Sequence, residues 1–291
     1  MSRRDFLKTA AVTAGLSILS PRQKLLGESP QPEAATQPTG PFSFCVVADP
    51  HCSEQPKPGI EEYGNGVDKF FACLDAIKKL TGPDQPDFVL IAGDVHLWTL
   101  KEYLPKIDIP LHVIAGNHES NAARRKQMRD LFPDDFRING QPADYYSFVH
   151  KGVRFIGLCD AGMGDHVGQL CSEIIRPSGQ CEWLERQLTQ GEAQKILFAH
   201  IPPDPEGRDR IMCMSRNDSR WFNALIARTQ PTALFFGHQH RATVEHKIGR
   251  TRSFTLRSCC WNSGKAPLGF LHVRITDQGI TTREILTGTY T

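Results

Sequence analysis

Seven polar residues of this chain stand where short apolar runs stop, and all are of types that can hold metal ions. FSFCVVA runs into Asp49-Pro50-His51, DFVLIAG into Asp94, and PLHVIAG into Asn117-His118-Glu119. KILFA runs into His200, and ALFFG into His238-Gln239-His240. Each run is short and rich in β-branched or aromatic residues, which is the composition of a buried strand. In open α/β sheets, functional groups gather just beyond the carboxyl ends of the strands. Carboxylate, amide oxygen and imidazole brought to one edge suit two borderline divalent or trivalent ions, zinc, manganese or iron, better than calcium.

The individual motifs differ in weight. A D-x-H triplet arises by chance at about one position in 400, so Asp49-x-His51 says little alone. Asp94-Val95-His96 is a second such triplet and is not counted among the ligands. Gly116-Asn117-His118-Glu119 and Gly237-His238-Gln239-His240 are far rarer, and their order at strand ends matters more than either motif.

The elements that must position these residues alternate along the chain. Strand-like runs are Phe42 to Ala48, Phe88 to Ala92, Leu111 to Ala115, Lys195 to Ala199 and Leu234 to Phe236. Helical spacing covers Val67 to Leu80, Arg124 to Phe132, Glu182 to Leu188 and Trp221 to Arg228. Tyr145 to His150 and Val153 to Cys159 read as a hairpin turning at Lys151-Gly152. Val244 to Ile285 reads as several strands separated by glycine-containing turns. The pattern is mixed α/β with more than one sheet and no internal repeat.

This order (D-x-H, G-D, G-N-H-E, a later single His, then G-H-x-H) resembles the calcineurin-like metallophosphoesterases. The likeness includes Tyr145-Tyr146-Ser147-Phe148, the Gln180 to Leu188 stretch and His200-Ile201-Pro202-Pro203, and so runs from Phe42 to the C-terminal strands. It implies a four-layer α/β/β/α sandwich of two mixed sheets flanked by helices. Asp49, His51 and His240 would hold one metal; Asn117, His200 and His238 would hold the second; Asp94 would bridge them. Two ions about 3.5–4 Å apart acidify a bridging water and bind phosphoryl oxygens, so a hydroxide attacks phosphorus in line. His118 would assist the leaving group from outside the metal shell. One position departs from the pattern. Many relatives read G-D-x-x-D, the last Asp orienting the catalytic His, and purple acid phosphatases read G-D-x-x-Y. Here the residue is Leu97. The resemblance therefore implies a colourless enzyme whose His118 is oriented by Glu119 or by a backbone carbonyl.

The N-terminus reads as an address. Ser2-Arg3-Arg4-Asp5-Phe6-Leu7-Lys8 precedes the mildly apolar run Thr9 to Leu19, which resembles a twin-arginine export signal. Residues 1–27 are expected to be the signal peptide, 28–41 a proline-rich linker and 42–291 the phosphoesterase domain. The precursor's partner would be the twin-arginine machinery, and the mature protein would be periplasmic or extracellular. The net charge of +2 is matched by the +2 of residues 1–41 alone. The remainder is neutral and carries no strong nucleic-acid or membrane signal. Nine cysteines include no C-x-x-C pair, so a zinc ribbon is not expected. Cys45, Cys159 and Cys52 read as packed thiols, and a disulfide among Cys171, Cys181 and Cys213 is left open.

Other residues have plainer readings. His96 is expected to hydrogen-bond near the site or face solvent, and Arg124-Arg125-Lys126 to form an exposed helix face. His112, His150, His166, His246 and His272 read as surface or strand residues. Trp98, Trp261 and the Gly162 to Gly179 loop are candidates to line the cleft. The expected function is hydrolysis of a small phosphorylated substrate, a phosphomonoester or phosphodiester. The alternative is a non-catalytic phospholigand-binding or interaction module on the same fold, from which lost ligands would be expected.

Overall fold

The computed structural model describes residues 40–59, 61, 64–161 and 166–288. The expected signal peptide and most of the linker lie outside these residues. The first half of the chain runs β1 (Phe42–Val47), α1 (Gly66–Lys78), β2 (Pro86–Ile91), α2 (Leu97–Tyr103), β3 (Leu111–Val113), α3 (Ala122–Leu131). A small hairpin of β4 (Arg137–Ile138) and β5 (Gln141–Pro142) precedes β6 (Tyr146–His150) and β7 (Val153–Gly157). The second half runs α4 (Gln180–Thr189), β8 (Gln194–Phe198), α5 (Arg216–Thr229), β9 (Ala233–Phe236). It closes with β10 (Val244–Ile248), β11 (Thr251–Thr255), β12 (Leu268–Thr276) and β13 (Gly279–Gly288).

One mixed sheet has the order β13-β12-β1-β2-β3 and the other β10-β11-β9-β8-β7-β6. The two meet through aromatic side chains. Phe44 of β1 stands edge-on to Phe155 of β7 at 5.2 Å and to Phe235 of β9 at 6.1 Å. Phe88 of β2 does the same with Phe155 and Phe148. Helices flank the pair, giving the expected α/β/β/α sandwich. β1 and β9 are buried along their whole length because each lies inside its sheet and is covered on both faces.

Most expected elements form within a few residues of their predicted bounds, and local chemistry explains the shifts. α1 begins at Gly66 because Asn65 accepts the Asp68 N–H at 2.8 Å. Ser215 caps α5 through Asp218 N, so that helix starts five residues before Trp221. The hairpin turns at Lys151 (φ 45°) and Gly152 (φ 78°), the paired positive angles that suit a two-residue loop. α2 was not expected. It is a seven-residue helix with only Leu97 and Leu100 buried, too short for periodicity to announce it. Arg125 also departs from the exposed face expected for it. It is buried, with Nε 3.0 Å from Asp144 Oδ2, while Lys126 faces solvent and Arg124 is half-buried. The open question among three cysteines resolves as a Cys171–Cys181 disulfide, with Cys213 free and buried.

Candidate metal centre and active site

The carboxyl ends of β1, β2, β8 and β9 converge, together with the turn after β3. Backbone strain marks the place. Asp49 (φ 50°), His51 (φ 39°), Asp94 (φ 53°), His96 (φ 58°), His238 (φ 71°) and His240 (φ 45°) all sit in the left-handed region. That conformation costs an ordinary residue roughly 1–2 kcal/mol, and its concentration at one sheet edge is typical of a functional site. Two glycines make room. A Cβ on Gly116 would collide with the Asp94 carboxylate, and one on Gly237 would lie 2.5 Å from Asp49 Oδ2.

Among the described residues, two carboxylate-containing groups could hold a metal ion, Asp49–His51–Asp94–His240 and Asp94–His200–His238, and Asp94 belongs to both; His51, His96 and His118 form a third group, of imidazoles alone. In the first, His51 Nε2 lies 3.0 Å from His240 Nε2 and 3.6 Å from Asp94 Oδ2. His240 Nε2 is 3.4 Å from Asp49 Oδ1. In the second, His200 Nε2 lies 3.3 Å from Asp94 Oδ2, 3.1 Å from His238 Nδ1 and 3.0 Å from Asn117 Oδ1. All seven expected ligands are thus brought together, and all are buried.

Hydrogen bonds fix which ring nitrogens face inward. The carbonyls of Ala92, His166 and Trp261 can only accept. His200 Nδ1–H therefore donates to Ala92 O (2.8 Å), His238 Nε2–H to His166 O (3.3 Å) and His240 Nδ1–H to Trp261 O (2.7 Å). In the neutral rings, the nitrogens left facing the cluster are lone pairs. Imidazole lone pairs, an amide oxygen and two carboxylates then point at one another with no hydrogen between them, a donor set that a cation must join. The residues present fit metal ions.

The electrostatics agree. Burial opposes ionisation of Asp94, but His200 and His51 outweigh it and hold its pKa well below the ordinary 3.8. Burial likewise opposes charge on His200, yet Asp94, Asp49 and Asp160 lift it to about 10. His238 is pushed down to about 3 by burial and by the charge of His200. A single proton at His200 Nε2 is thus the cation that the side chains can supply for themselves.

His118 stands at the mouth, its side chain 46% exposed and its Nε2 3.9 Å from Asp94 Oδ2. Its backbone N–H donates to Asp94 Oδ1 at 3.0 Å. Its ring stands edge-on to His51 and tilted against His96, each at 5.0 Å. Glu119 does not orient it. Both Glu119 oxygens accept backbone N–H groups at 3.0 Å, one from His96 and one from Gly116. The carboxyl therefore ties the Asp94 loop to the Asn117 turn. Burial and the nearby Asp94 push its pKa up to about 7. Leu97, where relatives would place an orienting Asp, is buried as the first residue of α2.

Four further residues matter beside the seven ligands and His118. His96 Nε2 lies 3.2 Å from His51 Nδ1, fulfilling its expected hydrogen bond near the site. His166, read as a surface or strand residue, is indeed exposed, and in addition its carbonyl accepts from His238. Trp261 lines the cleft as a candidate should, and stacks on His240 with centroids 3.7 Å apart. Asp160 was missed altogether. It is fully buried and accepts the N–H groups of His200 (3.3 Å) and Ile201 (2.8 Å). Its signal was available, because it follows the apolar run Val153 to Cys159 just as the other site residues follow theirs.

The profile of the Calcineurin-like phosphoesterase family matches residues 42–242. The chain belongs to that family. A probable glycerophosphodiester phosphodiesterase of Arcobacter nitrofigilis is 27% identical over 211 residues, 68% of this chain and 71% of that protein. A cAMP/cGMP dual specificity phosphodiesterase of Mycobacterium tuberculosis is 27% identical over 60% of this chain and 55% of its own length. Among solved structures, a dimetal phosphatase from Danio rerio superposes with a TM-score of 0.58 at 16% identity. The match covers 88% of this chain and 100% of that one, and shows the shared fold. As a member of this metal-dependent family, the protein is a phosphoric ester hydrolase.

Proposed function

We propose that the protein hydrolyses phosphoric esters at a dinuclear metal centre, with phosphodiesters the favoured class. The membership of Asp94 in both carboxylate-containing groups carries this reading, since one carboxylate placed so can serve two ions. The names of the two phosphodiesterase relatives favour diesters. Asp49, His51 and His240 would hold one ion, Asn117, His200 and His238 the other, with Asp94 between. When bound, zinc, manganese or iron would acidify a water and draw in the phosphoryl oxygens.

The chain's own residues do the rest. Asp49 is fixed by two contacts from the His238 N–H, at 3.0 and 2.9 Å, and Asp160 fixes the His200 backbone. Both parts of the cluster are therefore positioned before any substrate arrives, which lowers the reorganisation cost of reaction. His118, outside that shell and facing solvent, delivers a proton to the departing alcohol oxygen.

Metal content measured alongside turnover of bis-p-nitrophenyl phosphate and p-nitrophenyl phosphate tests the proposal. Faster diester turnover by metal-loaded protein supports it, whereas bound metal without turnover of either ester would favour a binding module. We also propose export through the twin-arginine route, for which the Cys171–Cys181 disulfide, a bond that persists in oxidising compartments, is support. Replacing Arg3 and Arg4 by Lys should trap the precursor in the cytoplasm, and unchanged export would refute the route.

A further inference from the structure

Two stacks flank the cluster. On one side His240 lies on Trp261 at 3.7 Å, and Lys57 Nζ stands 3.3 Å from the centre of the same ring. An imidazole and an ammonium that close cannot share a face, so Trp261 is enclosed between them. On the other side His96 stacks on Trp98 at 4.7 Å, and the Arg124 guanidinium covers that ring at 3.7 Å. Trp261 therefore leaves no open face for a planar base. What the cleft presents beside the cluster is a cation.

Lys57 is placed to meet substrate. It lines the small cavity of about 90 Å³ over Asp94, Asn117, His118 and His238. It also lines an adjoining cavity of about 350 Å³, walled by Ser53, Pro56, Pro58, Trp261 and Lys69, whose ammonium donates to the Cys260 carbonyl at 2.9 Å. The two cavities share His51, His118, Lys57 and Trp261. A phosphoryl group over the cluster would thus project its alcohol past His118 into the larger space, where Lys57 waits. Among the described residues no hydrogen bond or ion pair engages the Lys57 ammonium, and partial burial lowers its pKa from the ordinary 10.5. A partly desolvated cation without an acid partner gains from an anionic one. Trp261, which holds it, lies beyond the segment matched by the family profile.

We propose that Lys57 is a substrate-binding residue that selects phosphoric esters whose departing alcohol carries its own negative charge, a carboxylate or a second phosphate. This rests on the phosphoesterase reading and names the substrate class within it.

Three non-hydrolysable probes test it by calorimetry on metal-loaded protein: propylphosphonate, 3-phosphonopropionate and propane-1,3-diylbisphosphonate. A charged tail should tighten binding by about tenfold or more over propylphosphonate, the scale of a charge-assisted hydrogen bond. Lys57→Met should shrink that ratio to within about twofold, and Lys57→Arg should retain most of it. A gain with both tails assigns either anion, and a gain with the bisphosphonate alone that is lost in Lys57→Met assigns phosphate. Equal affinity of all three probes for the wild type overturns the proposal. So does a charge preference that survives in Lys57→Met, which would be chelation at the metal centre. The phosphoesterase reading fails separately, if metal-loaded wild type releases no p-nitrophenol from its phosphate esters.

Discussion

His200 Nε2 sits among acceptors, and a proton and a metal ion compete for it. Burial disfavours the charge, but Asp94, Asp49 and Asp160 raise the pKa to about 10, so protein stripped of metal keeps that proton at pH 7. Metal binding should then release about one proton at neutral pH, and affinity should fall as the solution is acidified. Calorimetry in buffers of different ionisation enthalpy measures this directly; binding with no proton release would mean His200 takes no part. Asp94→Asn should abolish most turnover and lose one or both ions, because Asp94 alone joins both carboxylate-containing groups. His118→Ala should keep metal but slow turnover by about 100–10,000-fold, the usual scale for a general acid. Loss of metal in His118→Ala would remove His118 from that role.

Strand ends made this site legible. Each apolar run announced a buried strand, and the polar residue at its end announced the place where function gathers. Asp160 followed the same rule but lay outside the motifs and was passed over. The role of Glu119 could not be read from sequence, because it depends on two backbone N–H groups brought together by loops far apart in the chain. The same holds for Trp261, whose carbonyl reaches His240 across twenty-one positions. At the element scale, the Cys171–Cys181 bond closes a short segment onto the start of α4. Cys171→Ser should cost about 2–4 kcal/mol of stability, the usual contribution of a native disulfide. Urea midpoints of the two proteins read this loss, and identical midpoints would mean the bond contributes nothing.

At the scale of the whole molecule, the two sheets bring residues from position 49 to position 240 into one buried cluster. Periodicity gave a mixed α/β pattern with more than one sheet, and the family resemblance implied two; the aromatic packing of β1 and β2 against β7 shows how they are held together. Metal ions joining both halves should therefore stabilise the fold as well as supply the chemistry, so chelation should lower the unfolding temperature. A melting scan with and without chelator checks this, and an unchanged temperature would place the ions outside the cluster. The protein is proposed to be a dinuclear phosphoesterase. Its most direct test returns metal stepwise to stripped protein while following bis-p-nitrophenyl phosphate hydrolysis. A dinuclear centre should give no turnover without metal and full turnover once two equivalents are bound. Two equivalents bound without turnover, or full turnover at one, would contradict it.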